Sequence, residues 1–416
     1  MTRPALLTAV RTPVDVLDSE RERMRALTVG ILGGTAMALV TGLSAAQAQT
    51  TYPNVKVTGR LQEQFYYFGN EDYASVVGAQ SNFFTRRARI EARGNISENV
   101  VVYIQPSFEG GRNLSNVATT CTSTVVPAGG GAPTLTCRTT GRSGLRLRDA
   151  WIDVRFTKEG NPGAFYLRAG QEKRPYSRYE LTSSNNLPSI ERGAGQGLQT
   201  RASNDLFASA GFLSHDIGAS LRYEYKLSDL QLVTVKVGAY NGQGESLNDV
   251  NNKKSFGARA TASVTPKIDV GASWFAHDGI TTVGTTPDSS FTNYAWGVDA
   301  QYGKPGDEGI FALGEFLNGT DATAAKNKIR GFQGLAAYNY RMTSPTSWLY
   351  AVEPAIRVDV ADPNTDADDD RSTLITAVLG IYMSSKAQIR VGYEHQSFQG
   401  DLPSISGVRS ALTVNF

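Results

Sequence analysis

Residues 407–416 read GVRSALTVNF. Val408, Ser410, Leu412, Val414 and Phe416 occupy one set of alternate positions, and Arg409, Ala411, Thr413 and Asn415 the other. A period of two with one mostly apolar side is the signature of a β-strand with one face turned from water. The same period runs upstream. Phe256, Ala258, Ala260, Ala262 and Val264 alternate with Arg259, Thr261 and Ser263, and Val233, Val235 and Val237 with Thr234, Lys236 and Gly238. Ile389, Val391 and Tyr393 alternate with Arg390, Gly392 and Glu394.

Sixteen such segments are expected, at 55–68, 83–95, 100–109, 145–156, 164–171, 216–225, 231–240, 255–265, 268–277, 292–303, 309–318, 329–340, 347–360, 372–383, 387–396 and 407–416. Their connections alternate in length: long at 69–82, tight at 96–99, long at 110–144, short at 157–163, long at 172–215. Short turns on one side and long loops on the other are the habit of an antiparallel barrel that spans a bacterial outer membrane, and a sandwich has no reason to keep it. Most segments are near the about 9–11 residues a tilted spanning strand needs. The reading is therefore all-β: a transmembrane antiparallel barrel of about sixteen strands with long external loops. Arg87, Arg222, Lys236, Arg259, Arg357 and Arg390 fall mid-strand, which a dry soluble interior would not hold, so the lumen is expected to be polar. Tyr66, Tyr67, Phe68, Phe83, Phe84, Tyr223, Tyr225, Trp274, Phe275, Tyr294, Trp296, Tyr338, Tyr340, Trp348 and Tyr350 gather near strand ends, as interfacial girdles do. The plainer source of such residues is the β-propensity of aromatics.

Met24 to Thr50 reads MRALTVGILGGTAMALVTGLSAAQAQT: a basic start, an apolar run and an Ala46-Gln47-Ala48 site, the three parts of a secretory signal. The start is placed at Met24, the alternative being an unusually long basic region before the apolar run, and cleavage after Ala48, so residues 1–48 are amino-terminal extension and signal and 49–416 barrel. Export makes a disulfide between Cys121 and Cys137 the expected state of the two cysteines, closing a surface loop; no His lies nearby to complete a metal site.

The densest basic run is Phe83-Phe84-Thr85-Arg86-Arg87-Ala88-Arg89-Ile90-Glu91-Ala92-Arg93. With Ala88, Ile90 and Ala92 toward lipid, Arg87, Arg89 and Arg93 face the lumen, and Arg86 falls at the rim or on a bulge. A column of guanidinium groups offers fixed donors to oxyanions. The competing reading is a wall of salt bridges with Glu91, Glu224, Glu353, Asp359 and Glu394, because the whole chain carries a formal charge of only +2. The longest connection is either a flap or a plug folded into the channel, and Lys173, Arg174, Arg178 and Arg192 would then line a constriction. Asp366 to Asp370 have part of the acidic spacing of a calcium loop, without its Gly or closing Glu; a solvated loop is the plainer reading. His215, His277 and His395 sit near strand ends or loops, and no hydrolase motif surrounds them. No catalytic site, metal, cofactor or nucleic-acid partner is expected.

The ordered set FFTRRARIEARGNI, RDAWIDVRF, AGQEKRPYSRYELTSSNNLPSIERG, HDIGASLRYEY and VKVGAYNGQGESLNDVNNKKSFGARATASVTPKIDVGASWF, with the terminal strand, resembles the phosphate-selective porin O and P family. The resemblance implies a trimeric sixteen-stranded porin of the outer membrane, its third external loop folded inward and basic residues guiding anions. On that likeness Arg86 and Arg87 match the family's arginine pair, and Lys173 and Arg174 the basic residues of the inward loop. Arg222, Lys236, Arg259 and Arg390 complete the anion path expected from the residues. The final aromatic, Phe416, resembles the one read by the barrel-assembly machinery. The implied partners are outer-membrane lipid, small anions and two further copies of the chain. The acidic loop departs from a basic entrance and points to oxyanions generally. The other class of function open to this sequence is a closed scaffold barrel supporting a surface complex.

Overall fold

The structure is a computed structural model. It describes residues 52–69, 80–108, 118–124, 134–140, 145–158, 160–228, 231–247, 249, 253–283, 286–323, 325–344, 348–400 and 402–416, with the backbone alone at 118–124, 134–140 and 280–290. The expected leader lies outside these residues.

Among the described residues, eighteen strands and two helices follow one another: β1 (Asn54–Phe68), β2 (Ser81–Asn95), β3 (Val100–Ser107), β4 (Ala118–Thr124), β5 (Thr134–Thr140), β6 (Arg146–Arg155), β7 (Gly163–Lys173), α1 (Arg178–Leu181), α2 (Ser203–Ser209), β8 (His215–Ser228), β9 (Gln231–Tyr240), β10 (Ser255–Thr265), β11 (Ile268–Val283), β12 (Thr286–Tyr302), β13 (Gly309–Thr320), β14 (Lys328–Arg341), β15 (Ala351–Asp362), β16 (Ser372–Tyr382), β17 (Ala387–Phe398) and β18 (Ile405–Asn415). Sixteen of them close an antiparallel barrel, each beside its neighbour in sequence and β18 beside β1; β4 and β5 form a separate hairpin between β3 and β6. No described helix is long and apolar enough to cross a membrane, so the crossing is made by strands.

Closure pairs Arg60 with Asn415 and Phe68 with Gly407. Below it, Gly59 donates its N–H to the Phe416 carbonyl at 2.8 Å and accepts the Phe416 N–H at 3.0 Å. The start of β1 and the end of β18 thus lie on the short-turn side. A Cβ on Gly59 would sit 2.3 Å from the Phe416 ring, so glycine leaves room for the last aromatic.

The strand pattern departs from expectation in three places. The external connection expected after residue 277 is a long hairpin, because β11 and β12 stay paired out to Val283 and Thr286. The long connection after β3 contains its own hairpin, β4–β5, whose register sets Cys121 opposite Cys137; the side chains of both cysteines lie outside the described residues. The strand expected from residue 347 begins at Ala351.

Alternation is resolved as the charges require. On β10, Phe256 faces outward and Arg259 is buried inward. The inner wall is nonetheless not polar throughout. Residues 174–214 fold into the barrel, and apolar wall positions meet them. Tyr176, Phe207 and Phe212 pack with Phe275, Leu317 and Ile329. Tyr179 and Leu187 pack with Phe311, Leu313 and Leu335. Leu198 and Ala202 pack with Tyr66, Phe68 and Leu374. Tyr66, Phe68 and Phe275 therefore leave the expected girdle and serve this internal core, while Tyr67, Phe83, Trp274, Tyr294, Trp296, Tyr338 and Trp348 are exposed.

Candidate functional site

Two β-bulges build the site. The β1–β2 register pairs Gln62 with Arg87 and Glu63 with Thr85, leaving Arg86 as the extra residue. A bulge adds one residue to one strand and re-aims its side chains. Above it Thr85 and Phe83 alternate outward; below it Ala88 and Ile90 do. Arg86 and Arg87, though adjacent, both turn inward to bond groups in the lumen. The β3–β6 register does the same at Gln105 and Pro106, leaving Arg148 as the extra residue beside Asp149. Arg148 meets Glu245 at 3.0 Å, and Asp149 meets the Nε2 of His215 at 3.2 Å.

The inward segment faces this wall across a cavity of about 730 Å³. Its Glu191 is clasped by Arg86 through Nε–Oε1 at 2.7 Å and Nη2–Oε2 at 2.9 Å, a bidentate pairing, and by Gln64 Nε2 at 2.8 Å. Arg87 stands 3.6 Å from the same carboxylate and donates to Gln62, which donates to Thr413 at 2.8 Å. Burial alone would raise the Glu191 carboxyl, but Arg86 and Arg87 hold it well below the usual carboxylate range. Glu180, on α1, follows the same rule. Burial opposes its ionisation, yet Lys173 at 3.5 Å and Arg192 at 3.6 Å bring it down to about 2. Asp205, on α2, forms no ion pair among the described residues. Burial pushes its carboxyl up to about 7, against the pull of the Ala194 and Ala202 N–H groups that it accepts at 2.7 and 3.3 Å.

The segment is held from outside the cavity. Arg174 donates to Asp216 at 2.7 and 3.1 Å and to the carbonyls of Gly211 and Leu213, tying the segment's two ends together. Arg357 donates to the carbonyls of Glu191 and Arg192 and pairs with Asp359, which accepts Ser203 N–H and Oγ–H at 2.8 Å each. Arg409 pairs with Glu394 at 2.9 Å and caps the Gln196 carbonyl at 2.9 Å.

Of the residues expected on the anion path, Arg86, Arg87, Arg89, Lys173 and Lys236 line the cavity together. The others stand elsewhere. Arg93 is exposed on the same strand, nearer the short-turn end. Arg174 is buried at the root of the segment. Arg222 lies between Asp153 at 3.2 Å and Glu224 at 2.9 Å, 4.2 Å over the Tyr166 ring. Arg259 pairs with Asp299 at 2.7 Å, and Arg390 is buried beside the Asn185 carbonyl and Tyr382 hydroxyl. The cavity also gathers Arg60, Arg146, Arg148, Arg168 and Arg192. Arg60 and Arg168 carry the inward parity of their strands and were readable as lumenal; Arg146 and Arg148 needed the bulge. Arg168 sits 3.7 Å over Trp151, itself stacked on Tyr103 at 5.1 Å. Glu172 accepts Ser220 at 2.6 Å, Lys236 at 2.7 Å and Tyr240 at 3.0 Å, so the wall is part cation face and part salt-bridge network. In the acidic external loop, Asp366 meets Lys328 and Asp362 meets Arg371, each at 3.6 Å. His395 faces outward and bonds Ser406 at 2.7 Å.

Solved structures of similar fold are outer-membrane proteins. The anion-selective porin from Comamonas acidovorans has a TM-score of 0.56 at 10% identity, over 88% of this chain and 100% of its own. The outer membrane channel DcaP of Acinetobacter baumannii has 0.53 at 14%, over 88% and 98%. OmpT of Vibrio cholerae, an outer membrane protein in trimer form, has 0.50 at 13%, over 88% and 100%. At such identities the likeness is one of fold. No curated protein matches the chain. A family model, by contrast, matches residues 55–298, from the first strand through both bulges and the inward segment into β12. This chain, a barrel of the Gram-negative outer membrane with a channel through it, belongs to the phosphate-selective porin O and P family.

Proposed function

We propose that the channel conducts small solutes passively with a bias toward anions, phosphate or related oxyanions among them. The supporting observation is the charge of the constriction. Its lining holds ten cations (Arg60, Arg86, Arg87, Arg89, Arg146, Arg148, Arg168, Lys173, Arg192 and Lys236) against seven carboxylates (Glu91, Asp149, Glu172, Glu180, Glu191, Asp205 and Glu245), an excess of three. The whole chain has an excess of two. Positive charge is thus concentrated where low-dielectric walls focus its field on a permeating ion. The family's name and the anion-selective Comamonas porin support the same reading. The trimer form of the Vibrio protein supports a homotrimer. The leader over residues 1–48 and the Cys121–Cys137 disulfide belong to this reading. Both are checked by the intact mass of the exported protein before and after reduction.

The test is single-channel conductance in a planar bilayer, with the reversal potential under a KCl gradient and then titration with phosphate. A reversal potential on the chloride side and block by phosphate are expected, and Arg87→Ala weakens both. Equal permeability to K⁺ and Cl⁻ would remove the anion bias and leave a general pore. A folded barrel without conductance would remove the channel.

A further inference from the structure

We infer that Glu245 is a tethered counter-ion: it occupies Arg148 when no solute fills the cavity and yields that guanidinium to a passing oxyanion. This rests on the anion-biased channel proposed above. Glu245 lies on the connection between β9 and β10, which turns inward at residues 241–247 and brings this side chain to the cavity lining. Fixed backbone on either side places it there. Gly242 donates its N–H to Asp216 at 2.8 Å, and its carbonyl meets the Nε2 of His277 at 2.9 Å. Beyond Glu245, Ser246 donates its N–H to Gln171 Oε1 at 2.6 Å, and Gln171 Nε2 donates to the carbonyl of Arg148 at 2.7 Å. The loop is thereby stitched to the bulge that carries the arginine.

The carboxylate itself is held by little. Its Oε2 meets Arg148 Nη1 at 3.0 Å, while its Oε1 is buried and has no hydrogen-bond partner. An ionised carboxylate has about four acceptor sites, and leaving buried ones empty costs free energy. Two other carboxylates of the lining differ. Glu191 has both oxygens engaged by Arg86, and its carbonyl is bonded by Arg357. Glu172 accepts from Ser220, Lys236 and Tyr240. Those two are fixed parts of the wall. Glu245 gives up one contact when it swings away from Arg148 into the cavity, and its second oxygen then regains water.

Conduction needs a site that binds an ion well enough to admit it and weakly enough to release it. A carboxylate on a short tether supplies that balance. It competes for the guanidinium at an effective concentration of about millimolar or more, whatever the solute concentration outside. An oxyanion that takes the guanidinium by two parallel bonds displaces the single Glu245 contact, and chloride, a point charge, offers no such geometry. The displaced carboxylate stays close and repels the ion onward.

The test is block of single-channel current by inorganic phosphate in the wild type, Glu245→Gln, Glu245→Asp, Arg148→Ala and the double variant of Arg148→Ala with Glu245→Gln. Heat-modifiable migration reports that each barrel is folded. Glu245→Gln should lower the half-blocking phosphate concentration by about threefold to fivefold, the weight of one partly buried ion pair, and lengthen each block. Glu245→Asp keeps the charge but withdraws it from Arg148 by one methylene, so it should lower that concentration too, by less. In the Arg148→Ala background Glu245→Gln should change nothing. An Asp variant identical to the wild type beside a shifted Gln variant would make Glu245 a source of field alone and overturn the tether. A Gln effect undiminished by Arg148→Ala would overturn it as well. Phosphate block of the wild type with no shift in either Glu245 variant would overturn this inference and keep the anion-biased channel. A wild type with neither phosphate block nor anion selectivity would overturn that channel, and the counter-ion with it.

Discussion

Glu191 decides how much of the arginine pair reaches a permeating ion. Both its oxygens are committed to Arg86, and Arg87 stands second. Glu191→Gln should therefore release both guanidinium groups and raise the chloride-to-potassium permeability ratio, read from the reversal potential. Arg86→Ala should act oppositely on the fold. It leaves a buried carboxylate short of its partner, which costs about 3–5 kcal/mol, measurable as a lower unfolding temperature. Asp205 adds a pH dependence. Its carboxyl is raised from 3.8 to about 7 in the folded protein. The folded state therefore holds a proton that the unfolded chain releases, and stability falls as pH rises between those values. Above pH 7 the penalty is fully present, so Asp205→Asn should stabilise the protein at pH 8 and change little near pH 4. The same proton sets the pore charge. Between pH 8 and 6 the loss of one carboxylate raises the cation excess, and anion selectivity should increase by a step that Asp205→Asn makes smaller.

The inward segment behaves as an element because cationic side chains hold its backbone. Arg357 and Arg409 reach its carbonyls from β15 and β18, and Ser203 binds Asp359. Arg357→Met should free the segment at Glu191 and Arg192. It would appear as larger and noisier conductance, with protease cleavage between residues 174 and 214, while the barrel stays folded. Gly170 supports the strand from which the segment departs. Its φ is +128°, and a Cβ there would lie 2.2 Å from the Ala150 carbonyl oxygen. Gly170→Ala should cost about 1–3 kcal/mol through backbone strain, measured by thermal unfolding against the benign Gly314→Ala, where a Cβ meets nothing.

At the scale of the molecule, the barrel is a single cyclic ladder, closed where the last strand meets the first. Removing Phe416 deletes both hydrogen bonds to Gly59 and the ring over it. The truncated chain should reach the outer membrane in lower yield and lose its heat-resistant folded form at a lower temperature. The chain fixed its strand period, its parity and its sixteen-strand count locally, because alternation needs only neighbours two residues apart. Those features were legible: Arg87, Arg89 and Lys236 were assigned to the lumen from parity alone, and all three line it. Bulges are not local in that sense. Which strand carries the extra residue depends on its partner's register, so Arg148 gave no signal, and Arg86 was readable only as a rim or bulge position. The inward segment was legible as a length and a composition, but not as a shape. Phe311, Leu313 and Leu317 make one face of β13 apolar as Phe316 and Ile310 make the other, and sequence cannot say which is lipid and which is plug. Only the tertiary structure decides that, because burial of either face depends on a segment more than a hundred residues away. The same distance hid Arg357 and Arg409: their inward parity was plain, but their partners are backbone carbonyls, which every residue carries and no residue type announces.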